Sequence, residues 1–352
     1  MNSINSILKP EVAIIVLNHN GIQFLKTCLD SLLRTTYPAV QLWMYDNCST
    51  EDDVNYVKSR YPCVKVIESK LNGGYSLAYN EAIKHVNAKY AVLLNNDVEV
   101  EPDWIDHLVA AAEADATIAA LQPKLVSLTN RKQFEYAGSS GGEMDKYGYP
   151  FLRGRIFFTI ENDEGQYENC KEIFWASGAA LFVKTSCFME SGGLDKIFVH
   201  HMEEIDLCWR LLLLGYKIKV IPKSVVAHYG GGTIKSDSYK KMYWNHRNSV
   251  FMLIKNLGKK RLVKTLLIRF ILDLLTALFF LVSFKPRRTR AIFNAYIWIF
   301  THLSIMKQER KKVQLMRRVN DEEIFKKIYP KSIAIQYFLY KKKRFSDLQK
   351  YQ

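Results

Sequence analysis

The stretch Tyr90-Ala91-Val92-Leu93-Leu94-Asn95-Asn96-Asp97 decides how this chain folds. Five largely apolar residues run into a short polar stop that ends in a carboxylate. Strands buried on both faces of a parallel sheet have this continuous apolar character rather than an alternating one. In open α/β sheets, ligands bind outside the carboxyl ends of such strands. An Asp placed there can hold a metal ion over a phosphate. The plainer alternative is a strand-to-loop turn that carries Asp for its turn geometry.

Upstream, Val12-Ala13-Ile14-Ile15-Val16-Leu17 is a second run of this kind and stops at Asn18-His19-Asn20-Gly21. Phe24, Leu25, Cys28, Leu29, Leu32 and Leu33 follow at helical spacing and predict a crossover helix. Residues 41–45 form another strand, stopping at Asp46-Asn47-Cys48-Ser49-Thr50. Ser49 or Thr50 is placed to cap the next helix, with the acidic residues 51–53 in its first turn. A short strand over 64–67 follows, and Asn72-Gly73-Gly74 then opens a helix over 76–86. Beyond Asp97, the pattern predicts a helix over 104–114 and a strand starting at 118. This alternation predicts an α/β fold, a mainly parallel sheet with right-handed crossovers. Residues 127–170 are looser and rich in Gly, Ser, Tyr and charge. They predict a long loop region with short strands near a substrate. An amphipathic helix over 203–214 ends at Gly215. A last strand over 217–221 is closed by Pro222, before Val225-Val226-Ala227-His228-Tyr229-Gly230-Gly231-Gly232.

The 352 residues, 48% apolar and 13% aromatic, can build a sizeable core and exclude wholesale disorder. Charge divides the chain. Residues 231–352 hold 28 Lys and Arg against 7 Asp and Glu, whereas residues 1–230 hold 22 against 28. An acidic first part therefore carries a strongly basic tail. Such a tail can meet nucleic acid, anionic lipid or a phosphorylated substrate. No nucleic-acid-binding motif accompanies it, and apolar residues separate the charges, so a nucleic-acid partner is not expected. Residues 262–284 are long enough to span a bilayer of about 30 Å. Arg269 and Asp273 would lie near the middle of that span, each costing roughly 2.5–3.5 kcal/mol. Helices lying in the membrane plane with basic flanks fit better, with a span or a soluble appendage as the other outcomes. The six cysteines are scattered, form no CxxC pair and predict small buried hydrophobes in a reducing compartment. Residues 1–10 lack the pattern of a secretory signal.

Six segments taken in order carry a resemblance. They are Val-Ala-Ile-Ile-Val-Leu-Asn-His-Asn, Tyr-Asp-Asn-Cys-Ser-Thr, Asn-Gly-Gly-Tyr-Ser-Leu-Ala-Tyr-Asn, Leu-Leu-Asn-Asn-Asp, Glu-Glu-Ile-Asp-Leu-Cys-Trp-Arg and Ala-His-Tyr-Gly-Gly-Gly. Over about residues 11–255 the chain resembles the family 2 glycosyltransferases, in particular the rhamnosyltransferase-like branch that builds bacterial surface polysaccharides. The resemblance implies a GT-A fold over 1–255; the composition of the tail predicts a basic, apolar helical region over 256–352 that associates with the membrane. The resemblance also implies a nucleotide-sugar donor and a divalent metal, Mn or Mg. The acceptor would be a glycan or polyprenyl-linked sugar at an anionic membrane surface, on the cytoplasmic, inner face of the cell membrane. A homo-oligomer stays open. A non-catalytic nucleotide-sugar or lipid-binding subunit is the competing reading, prompted by the departures described next.

The resemblance assigns roles residue by residue. Asp46 would accept hydrogen bonds from the nucleotide base or ribose, with a plain Asx turn as its alternative. Asn18 and Asn20 would line the same crevice. Asn72 and Gly73 would lead an anion to the free N–H groups of the following helix. Asn80 could face the donor, and Asn96 would lie beside it. Asp97 ends the metal motif, whose first position is here the neutral Asn95, so one carboxylate carries most of the charge compensation. Mg²⁺ commonly takes only one or two carboxylates. His228 would be a second ligand, and imidazole suits Mn²⁺ better. Inverting transfer needs a carboxylate to take the acceptor hydroxyl's proton. Glu204 stands where the family usually has Asp, and Glu203 is its rival. Asp206 would cap the helix or pair with Arg210. Trp175, Ser177 and Gly178 would lie beside the acceptor sugar and donor phosphates. Arg247 could balance the leaving diphosphate.

Overall fold

The computed structural model describes residues 9–230 and 239–348. Gly231 and Gly232 of the glycine run lie outside the described residues. The first half alternates strand and helix as its apolar periodicity dictates: β1 (Val12–Asn18), α1 (Ile22–Leu32), β2 (Val40–Asp46), α2 (Asp53–Arg60), β3 (Lys65–Glu68), α3 (Gly74–Ala82), β4 (Tyr90–Asn95), β5 (Val98–Val100), α4 (Trp104–Ala114) and β6 (Ile118–Ser127). The four short strands β7 (Gly142–Met144), β8 (Pro150–Leu152), β9 (Arg155–Ile156) and β10 (Thr159–Ile160) make a separate antiparallel sheet. Then come β11 (Lys171–Glu172), β12 (Ala180–Lys184), α5 (Thr185–Glu190), α6 (Glu203–Leu213) and β13 (Lys217–His228).

The main sheet runs β11-β13-β6-β12-β4-β1-β2-β3. It is mixed. Strands β4, β1, β2 and β3 pair in parallel, as do β6 and β13, while β12 is inserted antiparallel between β4 and β6. The apolar runs account for the centre, since Val12–Val16 of β1 and Tyr90–Leu94 of β4 are buried throughout. Register then fixes the working edge. Asn18 stands beside Asp46, and Leu17 beside Asn95, so the polar stops of β1, β2 and β4 open at one end of the sheet. Because β12 is antiparallel, its start rather than its end lies there: Ala180 faces Leu94, and the Ala179 carbonyl accepts from the Asn95 N–H at 3.0 Å. The end of β13 reaches the same place by pairing His228 with Val98 of β5.

Two local expectations fail for physical reasons. Pro222 does not end the last strand. β13 continues to His228 through a register shift between Ile221 and Val225, and Ile221 faces Pro123 of β6, so both prolines sit at the irregularity where a missing N–H is tolerated. Neither Ser49 nor Thr50 caps the helix after β2. That helix starts at Asp53, and Ser49 is drawn back to Asp46 instead. The cysteines are free, but only Cys28, Cys187 and Cys208 are buried; Cys63 and Cys170 are exposed.

The C-terminal part is helical: α7 (Tyr239–Asn256), α8 (Lys259–Val282), α9 (Pro286–Thr301), α10 (Leu303–Met316), α11 (Asp321–Lys327) and α12 (Ile333–Phe338). α7 packs against α9, α10, α6 and α8. The last segment returns to the small sheet, where Tyr329, Tyr337 and Phe345 share a core with Phe134 and Phe151. Among the described residues, α8 alone is long and apolar enough to cross a membrane by length and composition.

Candidate active site

The crevice at the ends of β1 and β2 is a closed polar network. The Asn18 side chain, fully buried, donates to Asp53 at 2.8 Å and to Asp46 at 3.2 Å, and accepts from the Asn96 amide at 2.8 Å. Asp46 accepts from the Ser49 N–H at 2.9 Å, closing an Asx turn. Asn20 sits at φ 47° and accepts from the Thr50 N–H at 2.7 Å. Asp53 also accepts from the Gly21 N–H at 2.8 Å, while its second oxygen is buried without a partner among the described residues. Only glycine fits at 21, because a Cβ there would stand 2.0 Å from the Asn96 amide nitrogen. Asn18, Asn20, Asp46 and Asn96 therefore converge, as expected. Ser49 and Asp53 belong with them and were not anticipated, since serine and aspartate after a strand read equally well as helix-capping residues.

Beside this network, Asn47 and Asn72 exchange amide contacts. Asn47 donates to the Asn72 side-chain oxygen at 2.9 Å, and the Gly73 N–H donates to Asn47 at 3.0 Å. This fixes the entry to α3, whose first N–H, that of Gly74, donates to the Asn72 side-chain oxygen at 3.1 Å. The N–H groups that follow in the first turn suit an anion. Gly74 has φ +72°, and a Cβ on it would lie 3.3 Å from the Val199 carbonyl oxygen.

At the end of β4, the Asp97 Oδ1 lies 3.0 Å from the His228 Nε2. Two adjacent ligands of an octahedron, each about 2.1 Å from a common centre, stand about 3.0 Å apart. On the far side of the ring, the His228 Nδ1 pairs with the Glu135 Oε1 at 3.2 Å, and both side chains are buried. A carboxylate behind a histidine fixes the ring and the tautomer that leaves Nε2 free for a metal. The pair thus fits a divalent cation whose other positions come from water and phosphate. Burial by itself lowers the imidazole's pKa, and Asp97 and Glu135 outweigh it, pushing it up to about 10. Among the described residues no three His, Cys, Asp or Glu side chains group as a metal site. Glu135 lies in the irregular segment after β6, where nothing in the sequence separates it from a surface glutamate.

The acidic start of α6 meets Gly178, whose N–H bonds the Glu204 carboxyl. Burial pushes the Glu204 carboxyl up to about 7, and the N–H groups of Glu204, Ile205 and Gly178 partly offset that shift. Burial and the neighbouring Glu204 raise Glu203 well above the usual carboxylate range. One oxygen of each is buried without a partner among the described residues. The Gly178 carbonyl accepts from the Tyr75 hydroxyl at 2.7 Å, and a Cβ at 178 would stand 2.6 Å from that hydroxyl. Gly178 precedes Ala179, which bonds Asn95, so one short turn touches both the metal-side and the acid-side loops. Asp206 does not face the site. It is fully buried and accepts from Arg210 at 2.8 Å, Lys255 at 3.0 Å and Asn256 at 2.9 Å.

The loop leading into α6 is strained. Val199, His201 and Met202 all have positive φ, at 59°, 67° and 73°. Around Val199 the His200 N–H bonds the Phe198 carbonyl, a γ-turn of the rare hand. Such residues cost of order 1–3 kcal/mol each and persist only where the surroundings impose them. The imposing groups come from α7. The Asn248 amide donates to the carbonyls of Phe198, His200 and His201 at 2.9, 2.7 and 2.8 Å, and Arg247 donates to those of Ile197 and Phe198.

Residues 13–168 match the model of the glycosyl transferase family 2. Over 244 residues the chain is 26% identical to the N-acetylglucosaminyl-diphospho-decaprenol L-rhamnosyltransferase of Mycobacterium tuberculosis, covering 65% of this chain and 79% of that one. Residues 13–168 are a glycosyl transferase family 2 domain. The chain is also 25% identical over 197 residues to the rhamnosyltransferase WbbL of Escherichia coli K12, covering 54% of this chain and 70% of WbbL. Solved structures agree on the GT-A fold. The mannosyltransferase PcManGT from Pyrobaculum calidifontis, in complex with GDP-Man and Mn²⁺, superposes with a TM-score of 0.51 at 15% identity, over 88% of this chain and 85% of that one. GalNAc-T7, solved with UDP, GalNAc and Mn²⁺, superposes with a TM-score of 0.55 at 16% identity, over 71% of this chain and 48% of that one.

Three anticipated residues of the glycosyltransferase are occupied elsewhere. Trp175 is buried, donates to the Glu143 carbonyl at 2.9 Å and packs its ring over Gly142. Asn80 uses its amide on the backbone of Leu194, donating to the carbonyl at 2.7 Å and accepting from the N–H at 2.8 Å. Arg247 is buried, holds the 197–198 carbonyls and stacks on Trp298.

Proposed function

We propose that this glycosyltransferase is inverting and moves a sugar from a nucleotide-sugar donor to a glycan or lipid-linked acceptor in bacterial surface polysaccharide synthesis. The names of its rhamnosyltransferase relatives point to rhamnose as the sugar and to a diphospho-polyprenol sugar as the acceptor. Residues 1–255 form the catalytic domain. The enzyme works on the cytoplasmic side of the cell membrane, with residues 256–352 supplying the membrane-associating part. The network of Asn18, Asn20, Asp46 and Asn96 takes the nucleoside, and Asn72, Gly73 and the α3 N-terminus take phosphate oxygens. Asp97 and His228 would hold Mn²⁺ or Mg²⁺, which would supply charge compensation for the diphosphate. Glu204 accepts the proton of the acceptor hydroxyl as that oxygen attacks the anomeric carbon. Glu203, whose carboxyl burial and the neighbouring Glu204 raise well above the usual range, stands beside it as the second acid. Ser177 and Gly178 border the acceptor side.

One observation carries the reading: Glu204 has an oxygen without a partner among the described residues and an affinity for protons matched to neutral pH, as a general base requires. A panel of nucleotide sugars with Mn²⁺ and a polyprenyl-diphosphate sugar acceptor tests it by nucleotide release and product mass. Glu204→Gln should lower kcat by roughly 10²–10⁴-fold and leave donor affinity intact. Unchanged turnover would remove the base assignment, and no turnover with any donor would favour a non-catalytic binding subunit.

A further inference from the structure

Helix α8 is built inside out. Its buried stripe is Thr265, Arg269, Asp273, Ala277 and Phe280, and so contains its only charges in the central turns. Its outward stripe is Leu267, Ile271, Leu274, Leu278 and Leu281, each between 46% and 61% exposed. The next helix repeats the pattern: Phe293, Ile297 and Phe300 of α9 are 49%, 58% and 65% exposed, and Phe284 in the connection is 93% exposed. In water, an amphipathic helix turns the other way. Contiguous exposed apolar surface of this extent marks an interaction face rather than scattered surface residues.

The inward charges are fully engaged. Asp273 accepts from Arg269 at 3.0 Å and from the Tyr149 and Tyr296 hydroxyls, each at 2.8 Å. Arg269 also donates to Ser249 at 2.7 Å and lies over the Tyr149 ring. These contacts tie the middle of α8 to the β7–β8 turn, to α7 and to α9. Further along, Thr289 donates to the Ala277 carbonyl at 3.0 Å. The helix is thus fastened along its length to the body of the enzyme, and only one side is left uncovered. At both ends that side is flanked by exposed cations: Lys259, Lys260 and Lys264 before it, Lys285, Arg287 and Arg290 after it. Asp273, turned inward, is the one acidic residue between 259 and 301.

We infer that α8 and α9 form a platform that lies flat in the cytoplasmic leaflet of an anionic bilayer, Leu and Phe side chains among the acyl chains and the flanking lysines and arginines at the phosphates. Apolar burial and attraction to anionic headgroups together give such helices their affinity. This deepens the acceptor part of the proposed function: it says which face meets the membrane that holds a lipid-linked acceptor. A span is disfavoured because it would strip the Arg269–Asp273 cluster from its partners.

Co-sedimentation of the full chain with vesicles tests this without any sugar chemistry. Vesicles of phosphatidylcholine with about 30% phosphatidylglycerol should bind it at least about tenfold better than phosphatidylcholine alone. Leu278→Glu with Phe279→Glu should abolish binding while leaving the folded circular dichroism spectrum unchanged. Arg287→Cys on bound enzyme should be labelled by an impermeant maleimide added outside the vesicles, read at that site by mass spectrometry. Protection of that site would mean a span and overturn the flat geometry. No binding to either vesicle, with a dimer in solution, would overturn the proposal and assign the face to a second copy. Binding without turnover of any donor would leave the platform standing and sink the enzymatic reading instead.

Discussion

Glu204 sets the pH behaviour. Its carboxyl must be ionised to accept a proton, and burial holds its pKa at about 7. Activity should therefore be low at pH 6, rise through pH 7 and level off above it; kcat/KM measured across that range with saturating Mn²⁺ would show the limb, and a limb near pH 4 would contradict it. Glu135 is a second residue-scale handle. It touches only the far nitrogen of His228, so Glu135→Gln should weaken Mn²⁺ binding by roughly 10–100-fold without removing a ligand, as seen by titration with the spin signal of the free ion. The two residues differ in how visible they were. Glu204 lies in an acidic pair opening an amphipathic helix, a local pattern. Glu135 gains its meaning only when β13 brings His228 alongside the segment after β6, and no local pattern carries that contact. Asp46 shows a third case: the residue was marked and the network found, but the Asx turn with Ser49 is there as well, so the carboxylate serves the loop and retains lone pairs for a ligand.

Elements were legible wherever burial on both faces forced a continuous apolar run. β1, β4 and α4 lie within a residue of where their sequences place them. Elements shaped by distant partners were not. β13 outruns Pro222 because its neighbour β6 carries Pro123 at the facing position, so the irregularity is shared. The resemblance sets Trp175 beside the acceptor sugar; β7 closes over it instead. The loop before α6 is the most consequential of these. Its three left-handed residues have no glycine to announce them, and the strain is held by one amide of α7. Asn248→Ala removes three hydrogen bonds to that loop and should let Glu204 drift. A misplacement of about 1 Å can cost 10²-fold in rate, so transfer kcat should fall by about that much while donor Kd stays put. Asn248→Asp would repel the same carbonyls and should be no better. Equal losses in donor affinity and turnover would mean that the loop serves the nucleotide side, through the contact of Val199 with Gly74.

At the scale of the whole molecule, one helix joins the chemistry to the platform. α7 holds the base-bearing loop through Arg247 and Asn248, reaches Asp206 through Lys255 and Asn256, and meets α8 and α9 through Ser249, His246 and Phe251. The charge division of the sequence foretold two regions, acidic and basic, but not that a single rigid rod would connect them. Were α8 and α9 seated on lipid as inferred, that rod would make the protein a depth gauge, accepting the reactive hydroxyl only at one height above the membrane. A ladder of lipid-linked acceptors differing by a single sugar should therefore show a sharp optimum in kcat/KM, and the same sugars released from their lipid should show none.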